Sequence, residues 1–468
     1  RFLPAADDED ASSASSNIVI PLISMTTNDI ARIDLKNETG AYSVYPTEAT
    51  GDTSSDDGLT WHIDGVDDSY LDTYAVSGLA DATAVVQAFR RIGEDEDLAA
   101  YGLDNPRISA AVTCNDADKS YTLYFGNDAP NGDGTYIKLG DNPQIYLTTT
   151  SVRDTFNRPN TFYTDVTMVR SISQTADNSS YFDEDGALRS FDLITISGKD
   201  HPQTMEFIPN PYSNSSLIPY LMRSPVSQNV DGEVFDKIFK IISSGMTADG
   251  GYAFDPTAEQ IASYGLDNPG TIIRFKVGAT DLTLKFGNVT DDGYYPVMVG
   301  DRQVIYKIAS GELPAVDLAP QDYFSPVLFM DDITSVKSLE MKTADSDRVY
   351  QFAHGVDDND AATLEVTNNG QVLSTADFRN LYQYILRCPA SDFTMDAAPA
   401  GVAPSLEITV RYMDDARPAL TISFVRQSDR RYHVTVNGTP LGYSAVNTVD
   451  QLIQYDKDYA EGKTIPSP

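Results

Sequence analysis

One run of six residues occurs twice in this chain. Tyr101-Gly102-Leu103-Asp104-Asn105-Pro106 returns as Tyr264-Gly265-Leu266-Asp267-Asn268-Pro269, and self-similarity of this kind constrains architecture before any local propensity does. The run reads as a helix stop followed by a strand start. Glycine enters the left-handed region that closes a helix, where a Cβ is penalised. With Gly102 in that role, Leu103 and Leu98 become the apolar pair of a Schellman cap, and Leu266 and Ile261 take the same places around Gly265. Asp-Asn-Pro then turns the chain, and Pro106 and Pro269 hold the residue before them extended. Tyr101 and Tyr264 open the two copies. These are structural joints and carry no chemistry by themselves.

The segments after the two joints repeat as well. Tyr121-Thr122-Leu123-Tyr124-Phe125-Gly126-Asn127 returns as Leu282-Thr283-Leu284-Lys285-Phe286-Gly287-Asn288. Gly140-Asp141 with Ile145-Tyr146 returns as Gly300-Asp301 with Ile305-Tyr306. Alternating apolar and polar runs broken by Gly, Asn and Asp read as a meander of half-buried antiparallel strands. A worn third copy has Gly401-Val402-Ala403-Pro404 at the joint, followed by strand-like 406–412, 420–425 and 432–436. The expected class is α+β: tandem repeats of an antiparallel sheet with a helix packed on one face. The expected divisions are a polar tether over 1–23, then repeats over 24–160, 161–329 and 330–468.

The YGLDNP, FGN, GD and IY blocks resemble domain-of-unknown-function family 4340, whose members are encoded beside gliding-motility-type ABC transporters. The resemblance is closest over residues 70–330. It implies an extracytoplasmic protein held to the membrane by one N-terminal helix, with an ABC-transporter permease as partner. The family has no established catalytic residues to carry over, so none is assigned.

Charge narrows the partners. The chain has 33 basic and 69 acidic residues, a formal net charge of −36. Such a surface repels nucleic acid and anionic headgroups. The two cysteines, Cys114 and Cys388, form no CxxC pair, which excludes a disulfide framework and disfavours a cysteine metal site. No apolar run reaches the ~18 residues needed to span a bilayer. The chain opens at Arg1-Phe2-Leu3 without an initiator methionine; a removed signal or anchor is the expectation. Asp7 to Asp10 and Ser12 to Ser16 then read as a tether.

Along the chain, strands are expected at 30–35, 42–45 and 59–63, with an acidic turn at 51–58. A helix is expected over 71–92, and a short one over 96–101. The second repeat has strands at 191–196 and 204–208. Its helix, over 230–243, presents Val234, Phe235, Ile238, Phe239 and Ile242 at three- and four-residue spacing. Asp255-Pro256 reads as the cap of the next short helix. The third repeat has strands at 336–342, 349–353 and 362–367, a helix capped by Ser374 or Thr375, and a final helix over 448–459. Residues 209–225 read as an inserted loop without counterpart in the first repeat, and insertions carry function more often than cores do.

Chemistry is sparse. The histidines, His62, His201, His354 and His433, are scattered, so a metal site has no motif and each reads as a strand or surface residue. GxSxG is absent, and Glu461-Gly462-Lys463-Thr464 lacks the first glycine of a phosphate loop. The acidic runs Asp183-Glu184-Asp185 and Asp357-Asp358-Asn359-Asp360 have the wrong spacing for a calcium loop and read as solvated turns. No catalytic residue, metal ligand or cofactor is therefore expected. The expected function is a non-enzymatic interaction protein of an ABC-transporter or envelope complex. Tyr212, Tyr220 and Arg223 in the insertion are its candidate anchors, because Tyr and Arg dominate interface energetics. Two alternatives are a cleft for a glycan, peptide or cation, and a carboxylate enzyme acting on polysaccharide.

Overall fold

The computed structural model describes residues 19–49, 58–94, 97–130, 132–172, 180–213, 217–313, 317–356 and 362–468. The tether up to residue 18, most of the 51–58 turn and the acidic run 357–360 lie outside them. Contacts divide the chain into two compact units. One is Arg1–Val166 with Ala248–Pro256 and Gln303–Tyr306; the other is Thr167–Thr247 with Thr257–Arg302 and Lys307–Pro468.

The fold is α+β and sheet-rich, and a run of seven strands in one order is common to its three large sheets. The first runs Leu59–Ile63, Gly40–Glu48, Ile30–Asn37, Ile108–Cys114, Tyr121–Asp128, Thr135–Leu139, Gln144–Thr148, Arg90–Glu94. The second runs Gln228–Val230, Tyr220–Ser224, His201–Pro209, Leu193–Gly198, Thr271–Val277, Thr280–Phe286, Tyr294–Val299, Val304–Ala309, Gly250–Phe254. The third runs Gln371–Leu373, Ala362–Asn368, Asp347–Val356, Val336–Lys342, Leu406–Tyr412, Leu420–Arg426, Arg431–Val436, Thr439–Ala445. Each time, the first strand pairs antiparallel with the strand after the joint: Ile33 opposite Val112, Ile194 opposite Phe275, Leu339 opposite Val410. The meander then proceeds in chain order. A helix comes between the two halves: Thr73–Ala84, Gly232–Ser243 and Thr375–Leu386.

Burial follows the apolar pattern. On Thr271–Val277, Ile273 and Phe275 are buried while Arg274 and Lys276 are exposed, the period of two of a half-covered strand. Val76, Leu79 and Ala80 of the first helix join Ile33, Trp61 and Phe125 in one core. In the second helix Phe235, Ile238, Phe239 and Ile242 are buried as their spacing predicts, and the Phe235 ring lies 4.7 Å from that of Phe207. Ser374 caps the third helix.

Four local expectations are corrected. The first helix stops at Ala84, not Ile92, because Val85 and Val86 are β-branched and find strand partners in Ser24 and Ile23. Ile20–Ser24, which begins inside the expected tether of residues 1–23, is that partner strand. Of the short 96–101 helix, only a 3-10 turn, Leu98–Tyr101, is present. The next short helix, Ala258–Ser263, is capped by Thr257 rather than Asp255-Pro256. The Thr257 hydroxyl accepts from the Gln260 N–H at 3.2 Å while the Gln260 side chain accepts from the Thr257 N–H at 2.9 Å, a reciprocal box.

Both joints are Schellman caps. Gly102 has φ 67° and Gly265 φ 71°. Leu103 N–H reaches Leu98 O at 3.0 Å and Gly102 N–H reaches Ala99 O at 3.1 Å; Leu266 to Ile261 and Gly265 to Ala262 repeat this at 3.0 and 2.9 Å. The Phe-Gly-Asn motif packs against the joint. A Cβ on Gly102 would sit 2.6 Å from the Asn127 side chain, and one on Gly265 would sit 2.5 Å from that of Asn288. The two recurrent motifs therefore form one structural element. Gly401, before the strand Leu406–Tyr412, also has a positive φ, 75°, although the preceding helix ends at Leu386. Gly265→Val should lower stability by about 1–2 kcal/mol, since the left-handed region penalises a Cβ. An unchanged urea midpoint would refute this account of the joint.

Candidate functional site

The structure separates the three candidate anchors. Residues 209–225 are not a plain loop: they contain Tyr220–Ser224, a strand paired on both sides. Its alternation buries Tyr220 and Met222 and leaves Arg223 exposed. Tyr220 is 9% exposed and packs 4.6 Å from the Phe235 ring, so it is a core residue and no exposed anchor. Burial, with Asp236 beside it, pushes its phenol well above the usual range. Arg223 points to solvent, paired at 2.8 Å with Glu206. Tyr212 remains 45% exposed.

Tyr212 faces residues that sequence reasoning did not single out. Its ring lies 5.3 Å from the guanidinium carbon of Arg417, which stacks 3.6 Å over Tyr412. Arg417 Nη2 donates to Asp331 Oδ1 at 2.7 Å, and the Tyr412 hydroxyl donates to Asp331 Oδ2 at 2.9 Å. The Tyr382 hydroxyl donates to the Asp331 carbonyl at 2.8 Å. Arg417 and Asp331 are mostly buried, so the pair resists screening by salt. Burial, and secondarily Asp331, pushes the Tyr412 phenol up. Here a cavity of ≈160 Å³ opens between the second and third sheets, inside one compact unit. Asn210, Gln228 and Asn229 line it from one side, Tyr412, Arg417 and Asn437 from the other.

The local sequence makes this arrangement. Asn437 and Gly438, with φ 50° and 78°, form the tight turn joining Arg431–Val436 to Thr439–Ala445. Arg417 lies in the connection after Leu406–Tyr412, where Pro418 ends the turn. The Asn-Gly pair is a legible hairpin signal, but nothing local marks Arg417 or Asp331 as neighbours of Tyr212.

The remaining candidates have partners or buried places within the fold. His62 bonds Asp68 at 2.7 Å, His201 bonds Thr271 at 2.9 Å, and His354 and His433 bond the carbonyls of Val336 and Asp396. All four lie in strands. Both cysteines are buried and free, and burial pushes the Cys388 thiol up to about 11. Asp183 closes its own turn, accepting from Asp185 N and Ala187 N. Among the described residues there is no group of three or more metal-ligating side chains, and no helix is long and apolar enough to cross a membrane.

Comparison with known proteins finds no match among curated proteins. A family model described as "Domain of unknown function (DUF4340)" matches residues 61–180 and 223–403, more than half of the chain. Each matched stretch contains one copy of the joint, and the chain belongs to this family.

Proposed function

We propose that this chain is a non-enzymatic interaction protein, held to the membrane outside the cytoplasm, and an accessory of an ABC-transporter or envelope complex. In this reading 24–160, 161–329 and 330–468 are tandem repeats, each a sheet with its helix on one face, and the uncovered faces are the docking surfaces. The observation that carries it is the charge on the uncovered face of the second sheet. Arg223, Arg274, Lys276 and Lys285 are exposed there, against Glu206 and Asp281. A local excess of cations on a chain of net charge −36 gives the face a sign of its own, suited to an acidic surface on a permease.

The test is binding to the reconstituted permease with Arg223, Arg274 and Lys285 all changed to Glu. Surface ion pairs contribute little to stability, so the variant keeps its fold. Its affinity should drop about tenfold or more, with a flatter salt dependence than that of the parent. Unchanged affinity would overturn the docking face, and turnover of an envelope polymer would overturn the non-enzymatic reading.

A further inference from the structure

We propose that the cavity beside Tyr212 binds one ring of a neutral saccharide, a ligand separate from the protein partner proposed above. Several polar groups on its wall are left without a partner by the protein itself. Gln228 is 3% exposed and gives its amide N–H groups to the carbonyls of Thr439 and Pro440 at 3.2 and 3.1 Å. Its own carbonyl oxygen has no donor among the described residues. Asn229 and Asn437 do the reverse. Their oxygens accept from Asn210 Nδ2 at 3.1 Å and from Thr421 N at 2.8 Å, and their amide N–H groups have no acceptor among the described residues. Arg417 commits Nη2 to Asp331 and has further N–H groups to give.

The cavity wall thus offers donors and acceptors together, and Arg417 with Asp331 sums to no net charge. A carboxylate or phosphate ligand would need donors alone and would meet Asp331 inside a strongly acidic chain. Hydroxyl groups donate and accept at once, so a run of them matches this wall. The exposed Tyr212 ring supplies an apolar platform for the C–H face of a sugar. Size agrees, because ≈160 Å³ is smaller than the roughly 300–1,000 Å³ of pockets that enclose drug-sized ligands. The cavity holds one ring and leaves the rest of an oligomer in solvent. A nucleoside would fit the wall too, but its usual phosphates would not.

The experiment is calorimetric titration of the whole chain with cellotriose, maltotriose and tri-N-acetylchitotriose. At least one should bind with Kd of about 1 mM or tighter. Tyr212→Ala should weaken it about tenfold at an unchanged melting midpoint, and Tyr212→Phe should stay within about twofold. Asn437→Asp keeps the oxygen for Thr421 N and removes the amide donor, and should also lose about tenfold. Three outcomes overturn the proposal: binding of none of the three sugars, equal binding by Tyr212→Ala, or tighter binding of sialyllactose or adenosine. The Arg223, Arg274 and Lys285 variant should bind sugar normally and Tyr212→Ala should bind the permease normally. Failure of one proposal is thereby distinguishable from failure of the other.

Discussion

Replacing Arg348 by Met is expected to destabilise the protein by about 3–5 kcal/mol, because it strands a buried carboxylate. Asp456, on the C-terminal helix Val446–Ala460, is completely buried. Arg348 Nη1 contacts its Oδ2, and the Tyr350 hydroxyl donates to its Oδ1 at 2.7 Å. Burial pushes the Asp456 carboxyl above its usual range, against the opposing pull of Tyr350 and Arg348. A carboxyl with a raised folded pKa binds its proton more tightly folded than unfolded, so its contribution is most favourable in acid. That contribution is lost as pH rises from the unfolded value of 3.8 through the folded one. Without Arg348 the carboxyl rises further, so the deficit of Arg348→Met should be largest at neutral pH and shrink on acidification. Asp456→Asn on the Arg348→Met background should remove that pH dependence. Urea unfolding at pH 7 and pH 4.5 checks both, and a deficit that grows in acid would refute the assignment.

Gly287→Ala is expected to cost roughly 2–3 kcal/mol, the upper part of the range for overpacking. An added Cβ would lie 2.1 Å from the Tyr264 carbonyl oxygen and 2.9 Å from Pro296 Cγ. The first obstacle is backbone, held by the Asn288 N–H at 2.9 Å, so no rotamer change relieves it. Gly126 meets the Tyr101 carbonyl at the same 2.1 Å, and Gly126→Ala should behave alike. Gly265→Ala meets only the Asn288 side chain, which can turn aside, and should cost less than Gly287→Ala despite its left-handed backbone. The reverse ranking in urea midpoints would show that the motifs are not locked through this carbonyl.

The sequence was most informative where a residue's role is settled by its near neighbours. The caps at Gly102 and Gly265, the stripe Phe235, Ile238, Phe239 and Ile242, and strands such as Leu406–Tyr412 all come from local chemistry. Expectation failed where a distant partner decided. Val85 and Val86 continue a helical pattern equally well, and only the strand Ile20–Ser24 makes them extended. Tyr220 lies among Pro, Asn and Ser residues that read as loop, yet strands on both sides draw it inward. Distance was no obstacle at the cap of Ala258–Ser263. There Thr257 and Gln260 spell out their box locally, and Asp255-Pro256 merely looks like the stronger cap. The cavity was invisible for a third reason. Tyr212 and Arg417 lie in connections of two different sheets, and each is ordinary within its own.

The shared strand order has a consequence for how the chain is made. In each of the three large sheets the first strand of the chain waits for a partner that emerges from the ribosome only after the helix and joint have been synthesised. Ile30–Asn37 can pair early with Gly40–Glu48, but its other side stays open until Ile108–Cys114 appears. Late-closing contacts of this kind slow folding, and an open strand side is a template for wrong pairing. Three successive half-sheets with the same vacancy are produced from one chain, and the strand that fits one vacancy resembles the strand that fits the next. Exchange between nascent sheets, or between neighbouring chains on one message, is therefore the misassembly this protein has to outrun.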